Sequence, residues 1–165
     1  MPSTYEPIQS YTLASGTTSI TFNSIASSWT DLRLTFTGAA AGNTGFWTRF
    51  NNDSSALYSQ TVLYGDGSSA ISSRNTGATE LEWTSFANIN TTPIIFASLD
   101  LFSYAGGTNK TALMELSKDN NGSGQVARYV GLYRSTSAIT RIDLISSAQN
   151  FSVGTTATLY GIKNA

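Results

Sequence analysis

In Asp31-Leu32-Arg33-Leu34-Thr35-Phe36-Thr37, apolar and polar residues alternate without a slip. Extended backbone sends successive side chains to opposite faces. Leu32, Leu34 and Phe36 therefore share one face, and Arg33, Thr35 and Thr37 the other. The segment reads as a strand with one side against a core.

The same period recurs outward from it. Phe46, Thr48 and Phe50 alternate with Trp47 and Arg49. From Gln125 to Arg134, Val126, Arg128, Val130, Leu132 and Arg134 fall on one side, with Ala127, Tyr129, Gly131 and Tyr133 on the other. Thr158, Tyr160 and Ile162 alternate with Leu159 and Gly161. The segment from Pro93 to Phe102 is almost continuously apolar, the pattern of a strand covered on both faces or interrupted by a bulge. No comparable stretch carries a clean helical stripe.

Turn chemistry separates these runs. Gly38–Asn43, Asn51–Ser55, Gly65–Ser69, Ala105–Asn109 and Asp119–Gly124 are rich in Gly, Asn, Asp and Ser. Asn121-Gly122, between two alternating runs, is the strongest hairpin signal in the chain. About ten to twelve strands are expected, too many for one flat sheet. The expected fold is all-β: a single-domain antiparallel β-sandwich over residues 11–165 with jelly-roll topology. An extended N-terminal arm is expected over residues 1–10, where Pro2, Pro7 and a mixed polar sequence replace the alternation.

At 165 residues and 17.6 kDa the chain suits one compact domain. It contains no histidine and no cysteine. A Ser-His-Asp triad, a Cys-His pair and an ordinary zinc site are thereby excluded, and no disulfide supports the fold. Neither a cofactor nor a resident metal is expected, and the chain does not read as an enzyme. Only 12% of residues are charged and the net charge is -1. Nothing in that balance attracts a polyanion, so no nucleic-acid partner is expected. The opening residues MPSTYEPIQSYTL lack a signal-peptide pattern, and no apolar run approaches the ~18 residues of a spanning helix. No membrane partner is expected.

Each candidate site in the chain also has a blander reading. Glu80 and Glu82 would share a face of a strand beside Trp83, the raw material of a glycosidase. Two acids on a wet strand face explain them better. Asp119–Gly124 has the composition of part of a calcium loop but no closing glutamate, and reads as a hairpin turn. Gly65-Asp66-Gly67 lacks a following lysine or helix and reads as a tight turn rather than a phosphate cradle. Trp47 and Trp83, each bracketed by polar or charged residues, are the best aromatic candidates for partner binding. For either one taken alone, a core position is still the stronger reading. The strand arginines suit bidentate contacts to a partner, or pairing within the chain with Asp31, Glu82 or Asp143.

A set of segments forms one further pattern along the chain: Tyr5-Glu6-Pro7-Ile8 with Tyr11-Thr12-Leu13, Ile20-Thr21-Phe22, and Trp29-Thr30-Asp31-Leu32-Arg33-Leu34. Arg49-Phe50-Asn51-Asn52-Asp53, Tyr58-Ser59, and Leu63-Tyr64-Gly65-Asp66-Gly67-Ser68-Ser69 follow. Gly131-Leu132-Tyr133-Arg134-Ser135 and Leu159-Tyr160-Gly161-Ile162-Lys163 complete the set. Together they resemble small virion structural proteins of tailed bacteriophages, of the cyanophage and marine phage type, with Asn52 where that pattern has a glycine. The resemblance implies a component of a phage particle, on the capsid exterior or the tail, and brings no catalytic residues with it.

The expected function is that of an exterior capsid decoration subunit, of cement or knob-like type. It would bind the major capsid protein or other virion proteins, with Tyr5, Pro7 and Ile8 as arm contacts. A homo-oligomer is expected, and a trimer fits the role. The alternative is a tail-fibre or receptor-binding module on which Trp47 and Trp83 stack against host glycan. Either role puts the chain on the particle exterior after synthesis in the host cytoplasm.

Overall fold

The computed structural model describes residues 5–84, 88–92 and 94–163, and every alternating run of the sequence is a strand in it. Among the described residues there are twelve strands and no helix. In chain order they are β1 (Tyr5–Thr12), β2 (Ser19–Phe22), β3 (Asp31–Gly38), β4 (Phe46–Phe50), β5 (Tyr58–Gly65) and β6 (Ala70–Ala78). β7 (Leu81–Glu82), β8 (Ile95–Phe102), β9 (Lys110–Lys118), β10 (Gln125–Tyr133), β11 (Ile142–Ser146) and β12 (Thr156–Ile162) complete the set.

Two antiparallel sheets pack face to face. The larger has the order β1-β12-β3-β8-β9-β10-β5-β6, and the smaller β2-β11-β4-β7. Eight of the strands pair in a nested way: β1 with β12, β2 with β11, β3 with β8, and β4 with β7. Two further contacts join the nested pairs, β12 with β3 and β11 with β4. The remaining strands form two hairpins, β5–β6 and β9–β10, added beyond β8 to the large sheet alone.

The core lies between the sheets. From the large sheet come Leu32, Leu34 and Phe36 of β3, Ala97, Leu99 and Leu101 of β8, Met114 of β9, and Tyr129 of β10. From the small sheet come Phe22, Phe46, Phe50, Leu81, Ile142 and Leu144. Phe46 is the hub: its ring lies 4.7 Å from Phe36, 5.2 Å from Trp83 and 5.7 Å from Phe151. Close approach depends on small residues at two points. Leu81 fills the space above Gly131, and the indole of Trp29 covers Gly161 so closely that a Cβ there would overlap it.

Turn residues do what their chemistry predicts. Asn121 and Gly122 take positive φ values of 46° and 118° at the β9–β10 tip, and the Asp119 carboxylate accepts the Asn121 N–H. Asn51 and Asn52 are both left-handed, at φ 53° and 54°. Asparagine tolerates that region better than other non-glycine residues, which explains how Asn52 stands in for the expected glycine.

The arm expected over residues 1–10 is, from Tyr5 onward, the edge strand of the large sheet. β1 pairs with β12 from Tyr5–Ile162 to Thr12–Thr156, with a register shift between Pro7 and Gln9. Pro7 sits at that irregularity, where an absent N–H costs the ladder nothing. Gln9 Nε2 and the Tyr11 hydroxyl donate to the carbonyls of Asn23 and Thr21, stitching β1 to the small sheet. Residues 1–4 of the expected arm lie outside the described residues.

Candidate functional site

The candidate residues read from the sequence do not come together in one place. Tyr5 and Pro7 are exposed on β1, while Ile8 is half-buried against the core. The Tyr5 ring stacks on Tyr160, with centroids 4.7 Å apart and planes at 21°. Partial burial raises its phenol pKa above the ordinary value, opposed by the positive charge of Arg33. Trp47 is half-buried on the opposite side of the molecule, on the outer face of the small sheet, between Ile145 and Glu82 in register.

Trp83 takes the core position, the stronger of its two readings, and not the surface role for which it was a candidate. It is 0% exposed, its indole Nε1 donates to the Thr48 hydroxyl at 2.6 Å, and its ring stacks on Phe46. Its carbonyl accepts the Tyr129 hydroxyl from the facing sheet. Polar neighbours in sequence suggested exposure, but Trp83 stands at the end of β7 where the chain turns its ring inward. The core reading of this residue is the one the structure supports.

Glu80 and Glu82 do not form a strand pair, because β7 covers only Leu81–Glu82. The Glu80 carboxylate accepts from Arg49 at 2.8 Å and from the Thr79 hydroxyl at 2.8 Å. The Asp66 carboxylate likewise serves its own turn, accepting the N–H groups of Ser68 and Ser69 at 2.9 and 2.7 Å. Those bonds hold its pKa down at about 2. Four of the six arginines pair with acids within the chain, Arg33 with Asp100, Arg49 with Glu80, Arg128 with Glu115, and Arg141 with Asp143, while Arg74 and Arg134 donate to the Thr61 hydroxyl and the Ala56 carbonyl. Asp143 is the partner foreseen; Asp31 instead accepts the Ser103 N–H.

Sequence reasoning missed a surface. On the outer face of the large sheet, side chains align in rows across the strands. One row runs Phe96, Ser117, Val126 and Gly65 on β8, β9, β10 and β5. The next runs Ser98, Glu115, Arg128 and Leu63, and a third Asp100, Leu113, Val130 and Thr61. Leu63 is 60% exposed, Val126 59%, Phe96 45%, Val130 45% and Leu113 44%. On β12 and β3 the same rows carry Thr156 and Thr37, then Thr158 and Thr35, so that half of the face is hydroxylic. The signal was present in Gln125–Tyr133, where both sides carry apolar residues. The buried side is Ala127, Tyr129, Gly131 and Tyr133, and the open side is Val126, Val130 and part of Leu132.

Two ion pairs interrupt the apolar rows, Arg128 with Glu115 and Arg33 with Asp100 at 3.4 Å. Burial raises the Asp100 pKa, and the Arg33 charge opposes that rise. At one end, Ile94, Phe96 and Val126 rim a depression of about 570 Å3 that Gly65 and Ser117 also line. Chemically this is a surface for contact: apolar knobs, small gaps between them, and charges already neutralised. Set against protein-family models, curated proteins and solved structures, the chain matches none.

Proposed function

We propose that the chain is a structural protein of a phage particle, an exterior decoration subunit that acts by binding its neighbours. The nested pairing of eight strands is the observation that carries this reading. Without the two added hairpins, two four-stranded sheets remain, β1-β12-β3-β8 and β2-β11-β4-β7. First pairs with last, second with seventh, third with sixth and fourth with fifth, an order that supports the jelly-roll winding expected of the chain. Viral capsid domains are frequent users of that architecture, although a fold alone assigns no activity. The resemblance of the segments around Tyr5–Leu13, Leu63–Ser69 and Leu159–Lys163 to phage virion proteins points the same way.

The major capsid protein is the proposed partner, and repetition over a symmetric shell would multiply a modest contact. Tyr5 and Pro7, exposed at the β1 edge, are placed to contribute. The alternative, a tail module gripping host glycan, has less support. Of the two tryptophans that would stack on it, Trp83 is enclosed and Trp47 is half-buried, which leaves that role to exposed tyrosines.

Quantitative mass spectrometry of purified particles of a phage that encodes the chain tests the proposal. A copy number comparable to that of the capsid subunit is expected. A handful of copies, confined to the tail fraction after the particles are disrupted, would overturn it.

A further inference from the structure

We propose that the outer face of β8, β9, β10 and β5 is covered by a second copy of this chain. The inference rests on the geometry of that face and stands apart from the virion reading.

Three observations select a second copy as the occupant. The first lies in β8. Six of its eight residues are apolar, and the two polar ones, Ser98 and Asp100, lie on the outer face between Phe96 and Phe102. Ile95, Ala97, Leu99 and Leu101 do face the core, but Phe96 and Phe102 face out and stay open in the single chain. A residue pattern suited to two covered faces, with one cover missing, points to a cover supplied by association.

The second observation is charge. The acids and bases among the apolar rows are matched within the face, Arg128 to Glu115 and Arg33 to Asp100. A face that neutralises itself does not repel its own copy. Along these rows a partner of strongly acidic or basic character would find each charge already paired, and Lys118, which donates to the Asn88 carbonyl, shares the lining of the depression with Asp66 and Asp119.

Size is the third. Four strands at about 4.8 Å spacing, each eight or nine residues at about 3.3 Å rise, span roughly 500 Å2 in projection. Standard stable interfaces remove about 800 Å2 of accessible area from each partner, so a footprint of this size lies at the small end of the scale, in keeping with a reversible association. The corrugation is explicit. Phe96, Val126 and Leu63 are knobs, while Ser117, Gly65 and the 570 Å3 depression are gaps. The Thr/Ser half on β12 and β3 then forms a polar rim.

Sedimentation equilibrium of the full chain, from low micromolar to about 100 μM, is the test. A reversible oligomer is expected. Leu63→Glu and Val130→Glu should each weaken it by about 100-fold or more, because a charge would replace a buried aliphatic group. Val130→Thr keeps the β-branched shape and strand propensity, so it guards against misfolding, and should weaken association about 10-fold. Thr35→Glu, on the hydroxylic half, should leave association within about 2-fold of wild type. A chain that stays monomeric at 100 μM would overturn the inference. So would an oligomer that Leu63→Glu, Val130→Glu and Val130→Thr all leave intact with folded circular dichroism spectra. Neither result bears on the particle copy number, so the two proposals fail separately.

Discussion

Leu81 of the small sheet rests on Gly131 of the large one, with both of its methyl carbons 2.9 Å from where a Cβ on Gly131 would stand. The contact sets the sheet spacing at the hairpin side of the sandwich, where β7 faces β10. Gly131→Ala forces this leucine aside in a packed core and should cost about 1–3 kcal/mol. Leu81→Ala costs about 2–5 kcal/mol alone. Combined, the two should be less harmful than their sum, because the new methyl enters the space the leucine vacates. Urea denaturation of the four proteins measures that coupling.

Thr48 and Trp83 make a second test. The Thr48 hydroxyl accepts the buried indole N–H at 2.6 Å. Thr48→Val keeps the shape and removes the acceptor, leaving a donor dry and unsatisfied. A loss of about 1–3 kcal/mol is expected in chemical denaturation.

Asn51 organises the loop after β4. Its Oδ1 accepts the N–H groups of Thr140 and Arg141 at 2.9 and 3.2 Å, and its Nδ2 donates to the Ala138 carbonyl at 2.9 Å. Its φ is 53°. Asn51→Ala removes all three bonds and leaves an unfavourable backbone, for a loss of about 3 kcal/mol. Asn52→Gly should stay within about 0.5 kcal/mol of the parent, since glycine suits φ 54° yet has more freedom to lose on folding. Thermal melting of both variants separates the two positions.

Acid stability follows from Asp66 and Asp53. Both carboxylates have folded pKa values below the ordinary 3.8, Asp66 at about 2. Hydrogen bonds from Ser68 and Ser69 hold Asp66 down, and those from Ser55 and Tyr133 hold Asp53 down. A depressed carboxyl stabilises the fold fully above its unfolded pKa and loses that contribution as the pH falls through its folded one. The melting temperature should therefore drop between pH 4 and pH 2, and Asp66→Asn should make the drop shallower. Asp100, raised by burial, has the opposite sign and partly offsets the upper end of that fall.

Much of the architecture was legible in the sequence because strand alternation is a local property. Asp31–Thr37 and Phe46–Phe50 declared their two faces outright, and Asn121-Gly122 declared its turn. Alternation gives faces but not neighbours, so nothing local indicated that β5, β6, β9 and β10 would all widen the same sheet. β1 was hidden because Pro7 and polar residues are tolerated at an edge that needs only one partner. Trp83 stayed a surface candidate beside its stronger core reading because Glu82 and Thr84 flank it, and flanking polarity says little where a short strand ends. The open apolar face escaped notice for a different reason. Valine and leucine point outward there while tyrosine, alanine and glycine fill the interior, so hydrophobicity alone would choose the wrong side of β10.

Nested pairing also governs timing. The strand β1 has β12 as its sheet partner, separated from it by nearly the whole described chain. A ribosome releases β1 long before β12, so the earliest strand must wait, unpaired, for the latest. Among the described strands, the β5–β6 hairpin and the consecutive run β8–β9–β10 can zip up as they emerge, whereas closure of β1 must follow the release of β12, at the slow rates typical of distant strand contacts.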